Sequence, residues 1–243
     1  MMTGRQLKAF LRYKLGLSKH LFVHIPKNAG MAVRNSRQMR RRVVVADPHF
    51  HVSPDYTRQL HETMDKAGFH HGDQHARLID IRADLRANLQ AVAVVRNPWR
   101  RVMSRFTFQF KYKEREGETV DYSPAAFEAF LEERHEYGGR PFFWHRAIAG
   151  WFPQMDYIRD EGGNVPVHLL RQEFLADELQ QYFGITDLPV RNKSGRKAPP
   201  PEAIYTPQTI QIVADWYKDD IEHFGFDFDT PAQKGCYYPL TTD

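Results

Sequence analysis

Two apolar runs that each lead into a basic residue constrain the fold of this chain most. Residues 21–25 form the first run, which is followed closely by Lys27, and residues 91–95 form the second, which ends at Arg96. Short, mostly apolar runs of this length are typical of strands that are buried on both faces of a parallel sheet. Together with a third run at residues 165–170, they predict an α/β fold with a central, mainly parallel sheet.

Helical patterns separate these runs, so helices are expected on both faces of the sheet. Asn97 and Pro98 supply an N-cap and a first-turn proline for a helix that continues past Phe106. Further helices are predicted for residues 5–17, 55–67, 75–88, 175–183 and 207–224. We interpret residues 1–243 as a single domain in which residues 1–19 form a basic helical appendage.

Composition excludes several classes of protein. Of the 243 residues, 42% are hydrophobic and 26% are charged, which is the balance of a globular chain with a substantial core. The single cysteine, Cys236, excludes an internal disulfide framework. The sequence has no run of about 18 apolar residues and no apolar segment of a secretory signal, so we expect a cytoplasmic protein without a transmembrane helix.

Charge is unevenly distributed along the chain. Residues 1–46 contain eleven Lys or Arg and no Asp or Glu, whereas the rest of the chain is net acidic. A basic end on an acidic body indicates an anionic partner, such as a phosphorylated ligand or an anionic lipid surface. The sequence lacks RNA-recognition motifs, so nucleic acid is not an expected partner.

The N-terminal helix offers one such contact. Its apolar residues are spaced for one face and alternate with basic residues: Leu7, Phe10, Leu11 and Leu15, with Arg5, Lys8, Arg12 and Lys14. A helix of this kind binds membrane surfaces peripherally, with the apolar side chains inserted and the basic ones at the headgroups. Residues 1–17 are therefore a candidate membrane contact, and the alternative is a helix packed on the body of the protein.

The basic residues after the two apolar runs predict an anion site. In parallel sheets ligands bind beyond the carboxyl ends of the strands, where helix N-termini point their free amides outward. Lys27 and Arg96 would both lie at that edge. The first turn is not a Walker A loop, because Lys27 precedes Gly30 instead of following a second glycine. A kinase-like phosphoryl transferase therefore remains only as an alternative, since an acidic Mg²⁺ ligand after a strand is also missing.

These two segments resemble the nucleotide-binding motifs of the sulfotransferases that use 3′-phosphoadenylyl sulfate (PAPS). Residues 22–32 resemble the 5′-phosphosulfate loop, usually close to H-I-P-K-T-A-G-T-S, and residues 96–106 resemble the 3′-phosphate motif R-[ND]-P-x-x-R-x-x-S-x-[YF]. Weaker similarity to bacterial carbohydrate sulfotransferases, which are related to the heparan sulfate 2-O-sulfotransferase type, extends over His75, Glu173 and residues 192–194. The resemblance implies a P-loop-like sulfotransferase fold.

The same resemblance implies a role for each site residue. PAPS is the expected donor and 3′-phosphoadenosine 5′-phosphate (PAP) the product. Lys27 and His75 would be catalytic, with Lys27 stabilising the leaving phosphate and His75 acting as general base. His70 or His71 could replace His75 in that role. The donor would be bound by Lys27, Asn28, Ala29, Gly30, Met31, Ala32, Arg96 and Ser104.

This chain departs from the family pattern in the first loop. Asn28 replaces the usual Thr, and Met31 and Ala32 replace a Thr-Ser pair, so three hydroxyl groups are missing. Weaker donor binding is expected, and a degenerate nucleotide- or anion-binding protein without catalysis is an alternative. The expected acceptor is a carbohydrate hydroxyl, with a lipid headgroup or small metabolite as alternatives. No metal is expected, because the H-x-H at His49 and His51 lacks further spaced ligands.

Overall fold

The computed structural model describes residues 3–147, 150–186 and 199–234. Its sheet has four strands, all parallel: β1 (His20–Val23), β2 (Val43–Val45), β3 (Gln90–Val95) and β4 (Val167–Arg171). The strand order is β2-β1-β3-β4. The prediction of an α/β fold with a parallel sheet is confirmed. Strand β2 was not predicted, because it is three residues long and follows directly on a run of arginines.

Side chains of successive strand residues enter two different hydrophobic clusters. Leu21 and Val23 pack into the larger cluster, whereas Phe22 packs into the smaller one together with Val92 and Val94. This alternation follows from the two-residue period of a strand. Both faces of the sheet are therefore buried, which explains why the strands appear in the sequence as continuous apolar runs.

Eleven α-helices are present in the described part of the chain. They are α1 (Gly4–Lys14), α2 (Gly30–Asn35), α3 (Pro54–Lys66), α4 (Ala83–Asn88), α5 (Pro98–Gln109), α6 (Lys111–Arg115), α7 (Pro124–Tyr137), α8 (Met155–Ile158), α9 (Leu175–Phe183), α10 (Pro207–Trp216) and α11 (Lys218–Phe224). Short 3₁₀ turns occupy residues 39–41, 73–75, 78–80, 143–145, 172–174 and 201–203.

Most of the predicted helices are found, with different limits. The N-cap of α5 is confirmed: Asn97 Oδ1 accepts a hydrogen bond of 3.3 Å from the amide of Arg100, and Pro98 is the first helical residue. The predicted last helix is two helices, because the chain leaves helical geometry at Tyr217. The segment predicted as helix 75–88 is helical only from Ala83, and α7 was not predicted.

Helix α1 packs on the body of the protein through one part of its apolar face. The ring of Phe10 stacks on Phe50 with centroids 6.3 Å apart, and Tyr13 donates a hydrogen bond of 3.1 Å to Asp84. Phe10 is therefore not available for membrane insertion, which agrees with the packed alternative for this part of the helix. Three leucines remain largely exposed: Leu7, Leu11 and Leu15. Among the helices described, none combines the length and apolar character needed to cross a bilayer.

Candidate anion site at the strand ends

The carboxyl ends of β1 and β3 flank the point where the connections of the sheet diverge. From β1 the chain passes to β2 on one side, whereas from β3 it passes to β4 on the other side. Such a switch point opens a crevice between the two strand ends, and it is the usual ligand position in open parallel sheets. Lys27 follows β1 and Arg96 follows β3. Their predicted proximity is found: Arg96 Nη1 donates a hydrogen bond of 3.1 Å to the carbonyl oxygen of Lys27.

The loop between β1 and α2, residues 24–29, has a strained backbone. Lys27 and Ala29 have φ angles of 68° and 58°, in the left-handed region that residues other than glycine rarely adopt. Each such residue costs about 1–3 kcal/mol, and strain of this kind is concentrated in loops that bind ligands. Gly30 is required for a different reason. A Cβ atom there would lie 1.9 Å from the ring of His24, which packs directly against the glycine.

The ammonium group of Lys27 lies in a basic environment. Its Nζ is 3.9 Å from the centroid of the Phe108 ring. Burial, and then the nearby charges of Arg96, Arg105 and Lys111, lower the pKa of Lys27 to about 7. Neither Lys27 nor Arg96 forms an ion pair with a carboxylate in the residues described. Two neighbouring basic groups without an ion-pair contact suit the binding of an external anion.

The guanidinium of Arg96 has unused hydrogen-bonding capacity. Its Nε is buried and has no partner within the described chain. Burial lowers the pKa of Arg96 to about 10, and the charge of Glu173 opposes that shift. Glu173 itself accepts a hydrogen bond of 2.9 Å from the amide of Asn97, so it fixes the start of α5.

Gln154 fastens the two strand-end loops to each other and was not identified from the sequence. Its Oε1 accepts hydrogen bonds from Asn28 Nδ2 at 2.6 Å and from the amide of Arg96 at 2.8 Å. Its Nε2 donates to the carbonyl oxygen of Arg96 at 2.9 Å and to Asp220 at 3.1 Å. A single glutamine after a proline carries no sequence signal of such a role.

The side chain of Asn28 supports the loop instead of facing the crevice. Asn28 is 1% exposed, and its Nδ2 donates to the carbonyl oxygen of Val94 at 2.7 Å as well as to Gln154. Both amide protons that the sequence suggested for a ligand are therefore committed. The main-chain amides of Asn28 and Ala29 make no hydrogen bond to the described chain, so a backbone role in donor binding stays a prediction.

The other loop positions differ in what they offer. Met31 is 45% exposed at the start of α2, whereas Ala32 is buried. The amide of Ala32 donates a hydrogen bond of 2.8 Å to the carbonyl oxygen of Ala29. That amide is thus already used within the first turn, which argues against the predicted contact of Ala32 with the donor. Free amides in this turn belong to earlier positions, as the geometry of a helix start requires.

One face of α5 packs under the loop. Arg101 is fully buried, and its Nε donates a hydrogen bond of 3.1 Å to the carbonyl oxygen of Pro26. Ser104 and Phe108 lie three and seven residues further along α5, which places them on the same face as Arg101. Ser104 is half-buried, and its hydroxyl has no hydrogen bond to the residues described. The structure thus brings Ser104 to the side of α5 that faces Lys27.

His75 is attached to the same loop. Its Nδ1 donates a hydrogen bond of 2.8 Å to the carbonyl oxygen of His24, and the centroids of the two rings are 4.3 Å apart. The donating Nδ1 leaves the lone pair on Nε2, which has no partner among the residues described. Burial lowers the pKa of His75 to about 3, although the hydrogen bond to His24 opposes the shift. The ring is therefore neutral at pH 7, able to accept a proton but a weak base.

The other candidate histidines are placed differently. His70 is exposed, and His71 is bonded to Asp65 at 2.9 Å. His51 lies 3.1 Å from Thr57 Oγ1 through Nδ1 and 3.1 Å from the carbonyl oxygen of Asp73 through Nε2. Both of its nitrogens are therefore engaged, so the H-x-H at His49 and His51 is not a metal-binding pair. Residues 192–194 lie outside the described residues.

A basic groove opens next to His75. This cavity of about 920 Å³ lies between α1 and the segment after α2. Its cationic lining residues are Lys8, Arg12, Arg34, Arg37, Arg40 and Arg41. Leu11, Leu15 and Gln74 also line it, and Gln74 directly precedes His75. Two carboxylates, those of Asp47 and Asp73, line it as well, so the lining is net positive and suits an anionic molecule; His75 itself is buried and is not part of the lining.

Comparison with known proteins identifies no relative: no family model, no curated protein and no solved structure matches the chain.

Proposed function

We propose that this protein is a PAPS-dependent sulfotransferase, which moves a sulfuryl group from PAPS to an acceptor hydroxyl. The observation that carries the proposal is the pairing of Lys27 and Arg96 across the switch point of the sheet, with 3.1 Å between Arg96 Nη1 and the Lys27 carbonyl oxygen. PAPS carries a 5′-phosphosulfate and a separate 3′-phosphate. Two adjacent cations on two different loops suit a ligand with two anionic groups.

In this mechanism the strained loop binds the 5′-phosphosulfate. The amides of Asn28, Ala29 and Gly30 would hold the phosphate, while Arg96 and Ser104 would hold the 3′-phosphate. The acceptor oxygen attacks sulfur, and the bond from sulfur to the bridging oxygen breaks with its electron pair on that oxygen. Protonated Lys27 stabilises the charge that develops there.

His75 would take the proton of the acceptor hydroxyl. Its Nδ1 is bonded to the carbonyl oxygen of His24, so the proton would be taken by the lone pair on Nε2. With a pKa of about 3, His75 is a weak base. The proton would therefore move to it only as the hydroxyl oxygen bonds to sulfur and its proton becomes more acidic. The ring nevertheless stays unprotonated, and therefore competent, over the whole physiological range.

The acceptor in this proposal is a carbohydrate hydroxyl, and a lipid headgroup or small metabolite is the alternative. The basic groove beside Gln74 favours an acceptor with negative charge, since its lining carries six Lys or Arg side chains against two Asp side chains. The exposed Leu7, Leu11 and Leu15 on the same helix support peripheral contact with an anionic membrane from the cytoplasmic side.

A second candidate function is anion or nucleotide binding without catalysis. Asn28 and Ala32 support it, because the hydrogen-bond donors that they were expected to offer are used inside the protein. A binder of this kind would retain the Arg96 contact but would not turn over. Single-turnover assays with labelled PAPS separate the two, since only the enzyme produces PAP in the presence of an acceptor.

Calorimetric titration with PAP and with ADP, which lacks the 3′-phosphate, tests the donor. Arg96→Ala should weaken PAP binding by about 10–100-fold, the value of one charged hydrogen-bonding group, and ADP binding much less. Arg100→Ala is the matched control, because Arg100 is paired with Glu202 at 2.9 Å. Absence of saturable PAP binding, or an equal loss for PAP and ADP, would contradict the proposal.

A further inference from the structure

His61, His71 and Asp73 bring their side chains together beside the segment that leads to His75. Nε2 of His61 lies 2.8 Å from Oδ1 of Asp73, and the rings of His61 and His71 stack with centroids 3.7 Å apart. One ligand atom from each of the three residues lies within 4.8 Å of the others. We propose that these three residues bind a divalent transition-metal ion of the Zn²⁺ type.

The set of ligands selects the class of ion. Two imidazoles and one carboxylate suit Zn²⁺ and its neighbours, whereas Mg²⁺ and Ca²⁺ prefer oxygen ligands alone. A tetrahedral ion with bonds of about 2.1 Å holds its ligand atoms roughly 3.4 Å apart, so the stacked rings of His61 and His71 would rotate apart to direct one nitrogen each at the ion. The three side chains are 24–33% exposed, which lets the ion enter and leaves a position for water.

Buried histidines hold the main chain of the ligand Asp73 and of Gly72, which precedes it. The carbonyl oxygen of Gly72 accepts a hydrogen bond of 3.1 Å from His145, and that of Asp73 accepts one of 3.1 Å from His51. Gly72 has a φ of 69°, and a Cβ atom there would lie 2.2 Å from the carbonyl oxygen of His145. The chain between His71 and Asp73 therefore has little freedom to move. Ligands that are already positioned lose less entropy when the ion binds.

The third ligand, His61, and the carboxylate that binds His71, that of Asp65, both lie on α3. His61 lies inside α3, so its ring projects from a rigid element toward Asp73. Asp65, one turn further along α3, accepts a hydrogen bond of 2.9 Å from Nε2 of His71. Carboxylates commonly orient metal-binding histidines in this way and increase their basicity.

An ion at this position would connect α3 to the predicted base. His75 follows Asp73 by two residues, and the amide of His75 donates a hydrogen bond of 2.8 Å to the carbonyl oxygen of Gly72. Tying His61 to Asp73 would thus limit the motion of the 71–75 segment. This role does not depend on sulfuryl transfer and would hold for any reaction or ligand at the strand ends.

Titration of Zn²⁺ into tag-free protein that has been treated with a chelator tests the site. One ion should bind per chain, and His61→Ala and His71→Ala should each weaken binding by at least about tenfold, the lower range for the loss of a metal-site group. His135→Ala is the control, because His135 is an exposed histidine on α7 that lies 3.8 Å from Glu132. Mg²⁺ should not bind there.

Two further measurements make the result decisive. Co²⁺ should give the visible absorption bands of a tetrahedral site in the parent protein and in His135→Ala, but not in His61→Ala. Hydrogen exchange in residues 70–75 should slow when Zn²⁺ is added. The proposal is overturned if Zn²⁺ does not bind saturably, or if His61→Ala and His71→Ala bind it as tightly as the parent protein does.

Discussion

The Nδ1 of His75 donates a hydrogen bond of 2.8 Å to the carbonyl oxygen of His24, three residues before Lys27. This bond links the predicted base to the loop that would hold the donor, so the two parts of the site move together. It also fixes which nitrogen of His75 carries the proton. The contact therefore determines both where the base lies and which of its atoms can react.

Replacing His75 by Asn tests that role. Asn retains a donor for the His24 carbonyl oxygen but cannot act as a base, so the fold should persist while turnover falls by about 100-fold or more. PAP affinity should change little, because the phosphate contacts belong to other residues. We would measure PAP formation from PAPS and PAP binding on the same preparations. Undiminished turnover in His75→Asn would remove His75 as the base.

Replacing Gln154 by Ala should damage both stability and binding. Gln154 is fully buried, and its loss removes one of the two acceptors of Asn28 Nδ2 and the partners of the Arg96 main chain. Each buried polar group left unsatisfied costs about 1–3 kcal/mol. Chemical denaturation should show a correspondingly lower free energy of unfolding, with weaker PAP binding. Gln208→Ala is the control, since Gln208 makes one exposed hydrogen bond to Glu128; an equal effect in both variants would refute the bridging role.

Replacing Lys27 by Met should stabilise the ligand-free protein in a pH-dependent way. The pKa of Lys27 falls from 10.5 to about 7 on folding, mainly through burial, so its charge destabilises the folded state. The gain from Lys27→Met should be full below pH 7 and should decline as the pH rises toward 10.5. Loss of the contact with Phe108 offsets about 0.5–2 kcal/mol of it.

Urea unfolding of Lys27→Met and of the parent protein at pH 6 and pH 9.5 measures this difference. The same variant should bind PAP more weakly at both pH values, so stability and binding should change in opposite directions. Lys218→Met is the control, because Lys218 is an exposed lysine on α11. If the difference in unfolding free energy between Lys27→Met and the parent protein does not vary with pH, the lowered pKa of Lys27 is contradicted.

Replacing Leu7, Leu11 and Leu15 together by Ser tests membrane contact without disturbing the fold. These leucines are 46%, 48% and 71% exposed, whereas Phe10 on the same helix packs on Phe50. The triple variant should lose sedimentation with vesicles of anionic lipid, because the inserted area is removed while the basic residues remain. Equal sedimentation of the two proteins with anionic vesicles would exclude insertion of this face.

Local patterns accounted for the parallel sheet and for the positions of Lys27 and Arg96. Each of these features depends on residues that are neighbours in the sequence, since an apolar strand is followed directly by a turn with a basic residue. Gln154 and Arg101 could not be found in this way, because their partners lie far away in the chain: Gln154 is 126 residues from Asn28, and Arg101 is 75 residues from Pro26.

The candidate metal site escaped sequence reasoning for a related reason. His61 and His71 are separated by nine residues, a spacing that has no meaning until α3 ends and the chain turns back at Gly68. The H-x-H at His49 and His51 offered a more familiar spacing, but the structure uses both nitrogens of His51 elsewhere. Spacing alone does not show whether a histidine nitrogen is available.

The anchoring of Gln154 has a consequence for the order in which the protein assembles. Gln154 is held by Asp220, a fully buried residue of α11, and joins loops that follow β1 and β3. Contacts of such large sequence separation form late in folding, because long segments must be ordered before they close. The strand ends would therefore acquire their final arrangement only after α11 has been synthesised and has docked. A nascent chain that already contains Lys27 and Arg96 has the basic residues of the site but not yet the geometry.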